Sequence, residues 1–179
     1  MFTKNWYKAI ATSATRIAIP FVNAHNKSFN TGNTVDALAY GTTSNNNYAP
    51  VLSRVIKDDI TANFSTSGVA FGDGNIAPTI DDITLSGNCI RTLTHTCSVT
   101  NTADEDGVTT TALYTLTNTG TEDITISEVG LFAKLSTTSS DTYKYMALVE
   151  RTLLDEPVTI PAGGVGQITY TIRMNYPAA

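Results

Sequence analysis

Cys89, His95 and Cys97 are the residues of this sequence best suited to metal or thiol chemistry. On a continuous strand their even spacing places all three on one face, with the two cysteines roughly 26 Å apart at ~3.3 Å per residue. A disulfide needs Cα atoms within about 7 Å. A structural zinc site needs four ligands, usually with Cys-x-x-Cys spacing, and this segment offers three. We therefore expect buried free thiols and no metal site.

Three aspartates, Asp73, Asp81 and Asp82, lie in a segment rich in glycine and proline. Paired carboxyl groups hydrolyse glycosides when they face each other across a cleft and one sits in an apolar pocket. Aspartates in such segments more often form turns and cap strands, because the side chain accepts hydrogen bonds from nearby backbone N–H groups. We interpret these three as turn formers.

Other short motifs match known sites only in part. Asp104–Gly107 lacks the alternating ligand spacing of an EF-hand, so we predict a hairpin tip there. Gly72–Asn75 lacks the lysine and the helix of a phosphate-binding loop. The two histidines, His25 and His95, do not lie in a nucleophile-elbow or protease context. We assign no catalytic, cofactor-binding or metal-binding residue, and we expect neither a cofactor nor enzymatic activity.

Glu128 and Arg151 are charged residues within apolar runs. A buried charge is tolerated only when it is paired. If the two runs form adjacent strands, the side chains can pair across them and fix the register. We predict this ion pair and assign it a structural role.

The elements that must position these residues are strands. From Ala112 to Phe132, polar and apolar residues alternate with period two on either side of the turn-forming segment 118–123, which predicts an antiparallel hairpin. Further strands are predicted at 50–57, 59–64, 90–99, 143–152, 158–160 and 167–174, with loops or turns at 72–82, 101–107, 136–142 and 161–166. About eight strands with regular turns predict an all-β fold, an antiparallel β-sandwich of the jelly-roll or immunoglobulin-like kind.

The first 48 residues differ from the rest of the chain and end in the polar segment 41–47. Trp6, Ile10, Ala14 and Ile17 permit a short amphipathic helix, although the threonines between them equally permit an extended arm. This apolar stripe either packs on the chain's own β domain or reaches a neighbouring subunit. We therefore divide the chain into an N-terminal arm or short helix plus linker (1–48) and a β-sandwich domain (49–179).

Composition excludes some partners. Charged residues make up 15% of the 179 residues, the net charge is −5, and the eleven lysines and arginines are scattered. A nucleic-acid surface needs clustered basic residues, so we expect no nucleic-acid partner. Polar residues interrupt the segment 9–20, which excludes a secretory signal, and no apolar run is long enough for a membrane helix. We expect a protein made in the cytoplasm with no membrane partner.

Between residues 64 and 175 the chain contains, in order, the segments Phe71–Leu85, Asn118–Gly120, Ile126–Phe132, Leu148–Arg151 and Pro157–Gly163 with Tyr170–Ile172. Their order over this stretch resembles that of a family of tailed-bacteriophage structural proteins. The resemblance implies a virion protein that works by self-assembly and docking, as a capsid auxiliary, neck or collar, tail-tube or fibre-anchoring component. The implied partners are copies of itself and other virion proteins.

A host-surface glycan-binding module of a phage tail or fibre is the alternative. Aromatic residues clustered in loops would favour it. Most of the eight tyrosines lie in or beside predicted strands, with Tyr48 and Tyr143 as exceptions.

Overall fold

The computed structural model describes residues 1–8, 68–134 and 146–176, together with four short strands between residues 21 and 50. The short strands are β1 (Phe21–Val22), β2 (Ser28–Phe29), β3 (Ala39–Gly41) and β4 (Tyr48–Pro50), paired β1 with β2 and β3 with β4. The longer strands are β5 (Gly68–Gly72), β6 (Leu93–Ala103), β7 (Gly107–Asn118), β8 (Ile124–Lys134), β9 (Met146–Ile160) and β10 (Val165–Asn175). The described part of the chain is therefore mostly β, with almost no helix.

The chain divides into two compact units. The first comprises residues 1–91 and 126–157, and the second comprises residues 92–125 and 158–179. Each unit contains one three-stranded sheet, and β8 and β9 contribute residues to both units.

The sheet of the first unit has the strand order β5, β8, β9. Strand β5 is antiparallel to β8, with Gly68 opposite Phe132 and Gly72 opposite Glu128. All five residues of β5 are buried, as are residues 129–132 of β8, so these parts of the two strands are continuous apolar runs. Leu85 packs with Ala70, Phe132 and Leu148 in the core.

Residues 1–3 extend this sheet at its β9 side. Phe2 forms an antiparallel bridge with Glu150, the N–H group of Thr3 donates to the Val149 carbonyl at 3.0 Å, and the N–H group of Arg151 donates to the Met1 carbonyl at 3.0 Å. Residues 4–8 then form a helical turn. Trp6 in this turn is 7% exposed and stacks on Phe2, with 5.0 Å between ring centroids.

The sheet of the second unit has the strand order β10, β7, β6, and both neighbours are antiparallel to the central β7. Ala112, Tyr114 and Leu116 of β7 are buried, whereas Leu113 is 37% exposed. This confirms the alternation predicted for this strand. The turns predicted within 101–107, 118–123 and 161–166 are also confirmed, although residues 101–103 belong to β6 and the β6–β7 turn covers only 104–106.

The structure corrects two predicted strands. Residues 146–160 form a single strand, where the sequence predicts one strand at 143–152 and a short one at 158–160. Pro157 does not interrupt β9, because a strand tolerates proline where the ladder does not require its missing N–H group. Strand β6 begins at Leu93, and Cys89 instead forms an isolated bridge with Gly72, so a continuous strand from Cys89 to Cys97 was wrong.

The number of strands also differs from the prediction. Among the described residues, six strands have five or more residues, against the predicted eight or so. The predicted strand at 59–64, the predicted loop at 136–142, and all of the predicted strand at 50–57 except Pro50 lie outside the described residues.

Two predictions about the N-terminal part have different outcomes. Residues 1–8 pack on their own chain, which was one of the two alternatives for the N-terminal stripe. The other members of that stripe, Ile10, Ala14 and Ile17, lie outside the described residues. The domain boundary at residue 48 stays a prediction.

Candidate functional site

The predicted pair of Glu128 and Arg151 is confirmed and forms the centre of a buried polar network in the first unit. Glu128 lies on β8 and Arg151 on the neighbouring β9. Arg151 Nε donates to Glu128 Oε2 at 2.7 Å, and the two side chains are 2% and 0% exposed. At this depth both charges must be neutralised and hydrogen-bonded, because an unpaired ion would be very costly.

The guanidinium group of Arg151 also binds the segment that connects β5 to β6. Nη1 donates to Asp82 Oδ2 at 2.6 Å, and Nη2 donates to the Ile76 carbonyl. Asp82 in turn accepts hydrogen bonds from the N–H group of Thr79 at 2.9 Å and from its hydroxyl at 2.8 Å. One arginine thus joins β8, β9 and the glycine-rich segment that follows β5.

The remaining acceptor sites of Glu128 bind the far end of the same segment. Oε2 accepts from the N–H group and the hydroxyl of Ser86, both at 3.1 Å, and Oε1 accepts from the N–H group of Gly87 at 2.8 Å. Burial by itself raises the pKa of Glu128. The hydrogen bonds from Arg151, Gly87 and Ser86 outweigh burial, and the pKa lies below its ordinary value.

Gly74 and Gly87 allow the backbone to approach this carboxylate. A β-carbon at position 74 would lie 2.2 Å from Glu128 Oε1 and 2.4 Å from the nitrogen of Gly87. A β-carbon at position 87 would lie 2.4 Å from the nitrogen of Gly74. All three distances are far below van der Waals contact, so the network requires glycine at both positions.

The three aspartates of the segment are held by different partners. Asp73 accepts from the N–H group of Asn88 at 2.6 Å, Asp81 pairs with Lys4, and Asp82 binds Thr79 and Arg151. The aspartates therefore shape the segment, and the structure does not bring them together as a catalytic pair. The contact of Asp82 with Arg151 was not predicted from the sequence. A buried guanidinium has five N–H donors, which is more than one carboxylate can satisfy, and this excess of donors is the signal for a second acceptor.

A small cleft of about 70 Å³ borders the network. Its lining residues are Lys4, Asn5, Lys8, Ile80, Asp81, Asp82 and Ile83. Lys4 and Asp82 are already engaged by Asp81 and Arg151. The cleft is much smaller than the roughly 300–1,000 Å³ of a typical ligand pocket.

The cysteines and His95 have separate surroundings. Cys89 packs against the core of the first unit, whereas Cys97 lies on β6, and the two do not form a disulfide. The prediction that both thiols are buried was wrong, because each cysteine is half-buried. His95 packs edge-on against Tyr114, with 5.5 Å between ring centroids. Among the described residues, no three His, Cys, Asp or Glu side chains form a group that could hold a metal ion. His25 lies outside the described residues.

The Asp104–Gly107 segment is the tip of the β6–β7 hairpin, as predicted. Asp104 Oδ1 accepts from the N–H groups of Asp106 and Gly107, each at 2.9 Å, and Arg173 binds both carboxylate oxygens. The hydrogen bond from Arg173, with the turn N–H groups, lowers the pKa of Asp104 to about 2. Asp104 thus stabilises the hairpin turn.

The network of Glu128, Arg151 and Asp82 positions backbone. Both carboxylates bind the one guanidinium group, and Glu128 and Arg151 also bind backbone groups of the segment between β5 and β6. The part of the chain that the structure describes contains no helix with the length and apolar character of a membrane span. Comparisons with protein-family models, with curated proteins and with solved structures found no match.

Proposed function

We propose that this chain is a structural component of a tailed-bacteriophage particle, made in the host cytoplasm and built into the virion by self-assembly and docking. Its place would be that of a capsid auxiliary, neck or collar, tail-tube or fibre-anchoring protein. The antiparallel β-sandwich is part of this proposal.

The observation that carries the proposal is the convergence of three segments on Arg151. These three segments are among those whose order in the chain resembles the phage family. Phe71–Leu85 supplies Ile76 and Asp82, Ile126–Phe132 supplies Glu128, and Leu148–Arg151 supplies the arginine itself. We expect an assembly protein to contain segments whose residues form one structural network, and these segments do so.

The physical character of the network also supports a positioning role. A buried ion pair contributes little net stability compared with apolar packing, but it specifies one arrangement of the backbone. Here it fixes a segment of more than ten residues at two points, Arg151 with Asp82 and Glu128 with Gly87. A docking protein needs this property, because a rigid surface loses less entropy on binding.

The exposed aromatic residues favour the assembly role over the glycan-binding alternative. Of the described tyrosines, Tyr114 and Tyr170 are buried, and the large exposed aromatics are Tyr7 and Tyr176. A sugar-stacking platform needs several exposed aromatic faces, and the described residues offer these two large ones. Tyr143 and the side chain of Tyr48 lie outside the described residues.

The native mass of the purified full-length chain, measured by light scattering over a range of concentrations, tests the proposal. We expect association into a species whose mass is a whole multiple of the chain's own mass. A chain that stays monomeric at every concentration, up to roughly millimolar, would contradict self-assembly.

A further inference from the structure

The sheet of the second unit has an outer face on which most side chains carry a hydroxyl group. It consists of the even-numbered residues from Thr94 to Thr102 of β6 and the odd-numbered residues from Thr109 to Thr117 of β7 and from Val165 to Arg173 of β10. Five Thr or Ser residues on β6, four on β7 and two on β10 make eleven hydroxyls at fifteen positions. We call these fifteen residues the hydroxyl face.

The register places the fifteen residues in five rows across the three strands, and the row through Thr100 has a threonine on every strand. Thr100 lies opposite Thr111, which lies opposite Thr171 on the other side. Every position of the face on β6 and β10 is exposed, and those on β7 are exposed or half-buried. The opposite face of β7 and β10 holds Tyr114 and Ile168, which are 0% and 4% exposed. The hydroxyl face is thus the outward side of a one-sided sheet.

We propose that the hydroxyl face is the surface through which one copy of this chain contacts a second copy. This inference rests on the proposed function and names the surface that would carry it. The first argument is chemical. A hydroxyl group both donates and accepts hydrogen bonds, so an array of hydroxyls is complementary to a copy of itself. A symmetric dimer requires this property, because the same patch contributes both sides of the contact.

The second argument is electrostatic. The chain carries a net charge of −5, so copies repel each other wherever carboxylates meet. The hydroxyl face contains no Asp or Glu. Its one charged residue, Arg173, is neutralised by Asp104, which binds it at 2.8 Å. Two copies can therefore approach through this face without placing like charges opposite each other.

The size of the face indicates the strength of the contact. Nine residues per strand at ~3.3 Å and three strands at ~4.8 Å give a surface of ~30 Å by ~14 Å. Fifteen residues are fewer than the roughly 20–30 per side of a standard interface. We therefore expect a weak, concentration-dependent contact that repetition within an assembly would strengthen.

Paired charge substitutions of both signs test the inference. Thr100→Glu with Thr171→Glu places two carboxylates in one row of the face, and Thr100→Lys with Thr171→Lys places two ammonium groups there. The lysine variant changes the net charge from −5 to −3, which by itself would favour association. If the face is the contact, both variants place like charges opposite each other in the dimer. Sedimentation velocity should then show at least tenfold weaker association for both.

Thr121 is the matched control, because it is exposed in the turn after β7 and lies outside the face. Thr121→Glu and Thr121→Lys should associate like the wild type, and circular dichroism of every variant should confirm the β fold. If the wild type associates and neither double variant weakens it, the hydroxyl face is not the contact, although self-assembly stands. A wild-type protein that remains monomeric overturns both the hydroxyl-face contact and self-assembly. A wild type that is monomeric but binds a polysaccharide, with binding lost in both double variants, assigns the face to a glycan and overturns the inference.

Discussion

Arg151 Nε donates a hydrogen bond to Glu128 Oε2 at 2.7 Å between neighbouring strands, and neither side chain is exposed by more than 2%. This contact is the centre of the first unit's polar network, because the remaining groups of both side chains reach out to the segment between β5 and β6. Ile76 and Asp82 bind the arginine, and Ser86 and Gly87 bind the glutamate. Removing either partner should therefore affect both the strands and the segment.

Glu128→Ala should lower the free energy of unfolding by about 3–5 kcal/mol, because it leaves Arg151 buried and without its main counter-ion. Urea denaturation followed by circular dichroism measures the loss. Glu122→Ala, at an exposed glutamate in the turn after β7, is the control and should change stability by less than about 0.5 kcal/mol. A Glu128→Ala protein with the wild-type denaturation midpoint would rule out a structural role for the pair.

Gly74→Ala should destabilise the first unit by about 1–3 kcal/mol or more, because the added methyl group overlaps Glu128 Oε1 and the backbone of Gly87. The melting temperature and the rate of proteolysis within residues 73–88 measure the effect. Asn75→Ala alters the next residue, which is exposed, and should leave both values near those of the wild type. Equal melting temperatures for the two variants would contradict the close packing at Gly74.

Acid should destabilise the first unit through Glu128 and Asp82. For Asp82, burial raises the pKa, but hydrogen bonds from Thr79 and Arg151 outweigh it and the pKa lies below 3.8; the pKa of Glu128 likewise lies below 4.5. Because the folded-state pKa is the lower one, this stabilisation is fully present above those ordinary values and is lost as the pH falls through the lowered ones.

Urea midpoints measured from pH 7 to pH 2 test this pH dependence. The midpoint of the wild type should fall below about pH 4.5, and Asp82→Asn should flatten that fall. Asp155→Asn, at an exposed residue of β9, should leave the slope unchanged. A wild-type midpoint that rises on acidification would mean that these carboxylates do not stabilise the fold as anions.

Trp6→Ala should destabilise the fold by about 3–5 kcal/mol, because it removes a buried indole that stacks on Phe2. The adjacent Tyr7 is 56% exposed, and Tyr7→Ala should have an effect below about 0.5 kcal/mol. Thermal unfolding monitored by circular dichroism compares the two. If Trp6→Ala melted like Tyr7→Ala, residues 1–8 would not be part of the folded core.

The sequence predicts part of this structure because some signals are local. The alternation in Ala112–Asn118 and the turn residues of Asp104–Gly107 act over a few positions, and the structure confirms both. The pair of Glu128 and Arg151 is predictable for another reason, since a charge within an apolar run must find a partner.

Other features depend on the tertiary fold and leave no local signal. Nothing in the pattern around Asp82 indicates that the chain returns it to Arg151, 69 residues away. The continuous β9 was missed because Asp155, Glu156 and Pro157 together resemble a strand break. The predicted continuous strand through Cys89 was wrong because Cys89 pairs with Gly72 of β5.

The most direct test of the central claim is the protein content of purified particles of a phage whose genome encodes this chain. Quantitative mass spectrometry of gradient-purified particles should find the chain at a fixed copy number relative to the other virion proteins, resistant to washing with high salt. If particles of normal composition form without the chain, and the chain stays in the soluble fraction of the lysate, it is not a component of the virion and the account is wrong.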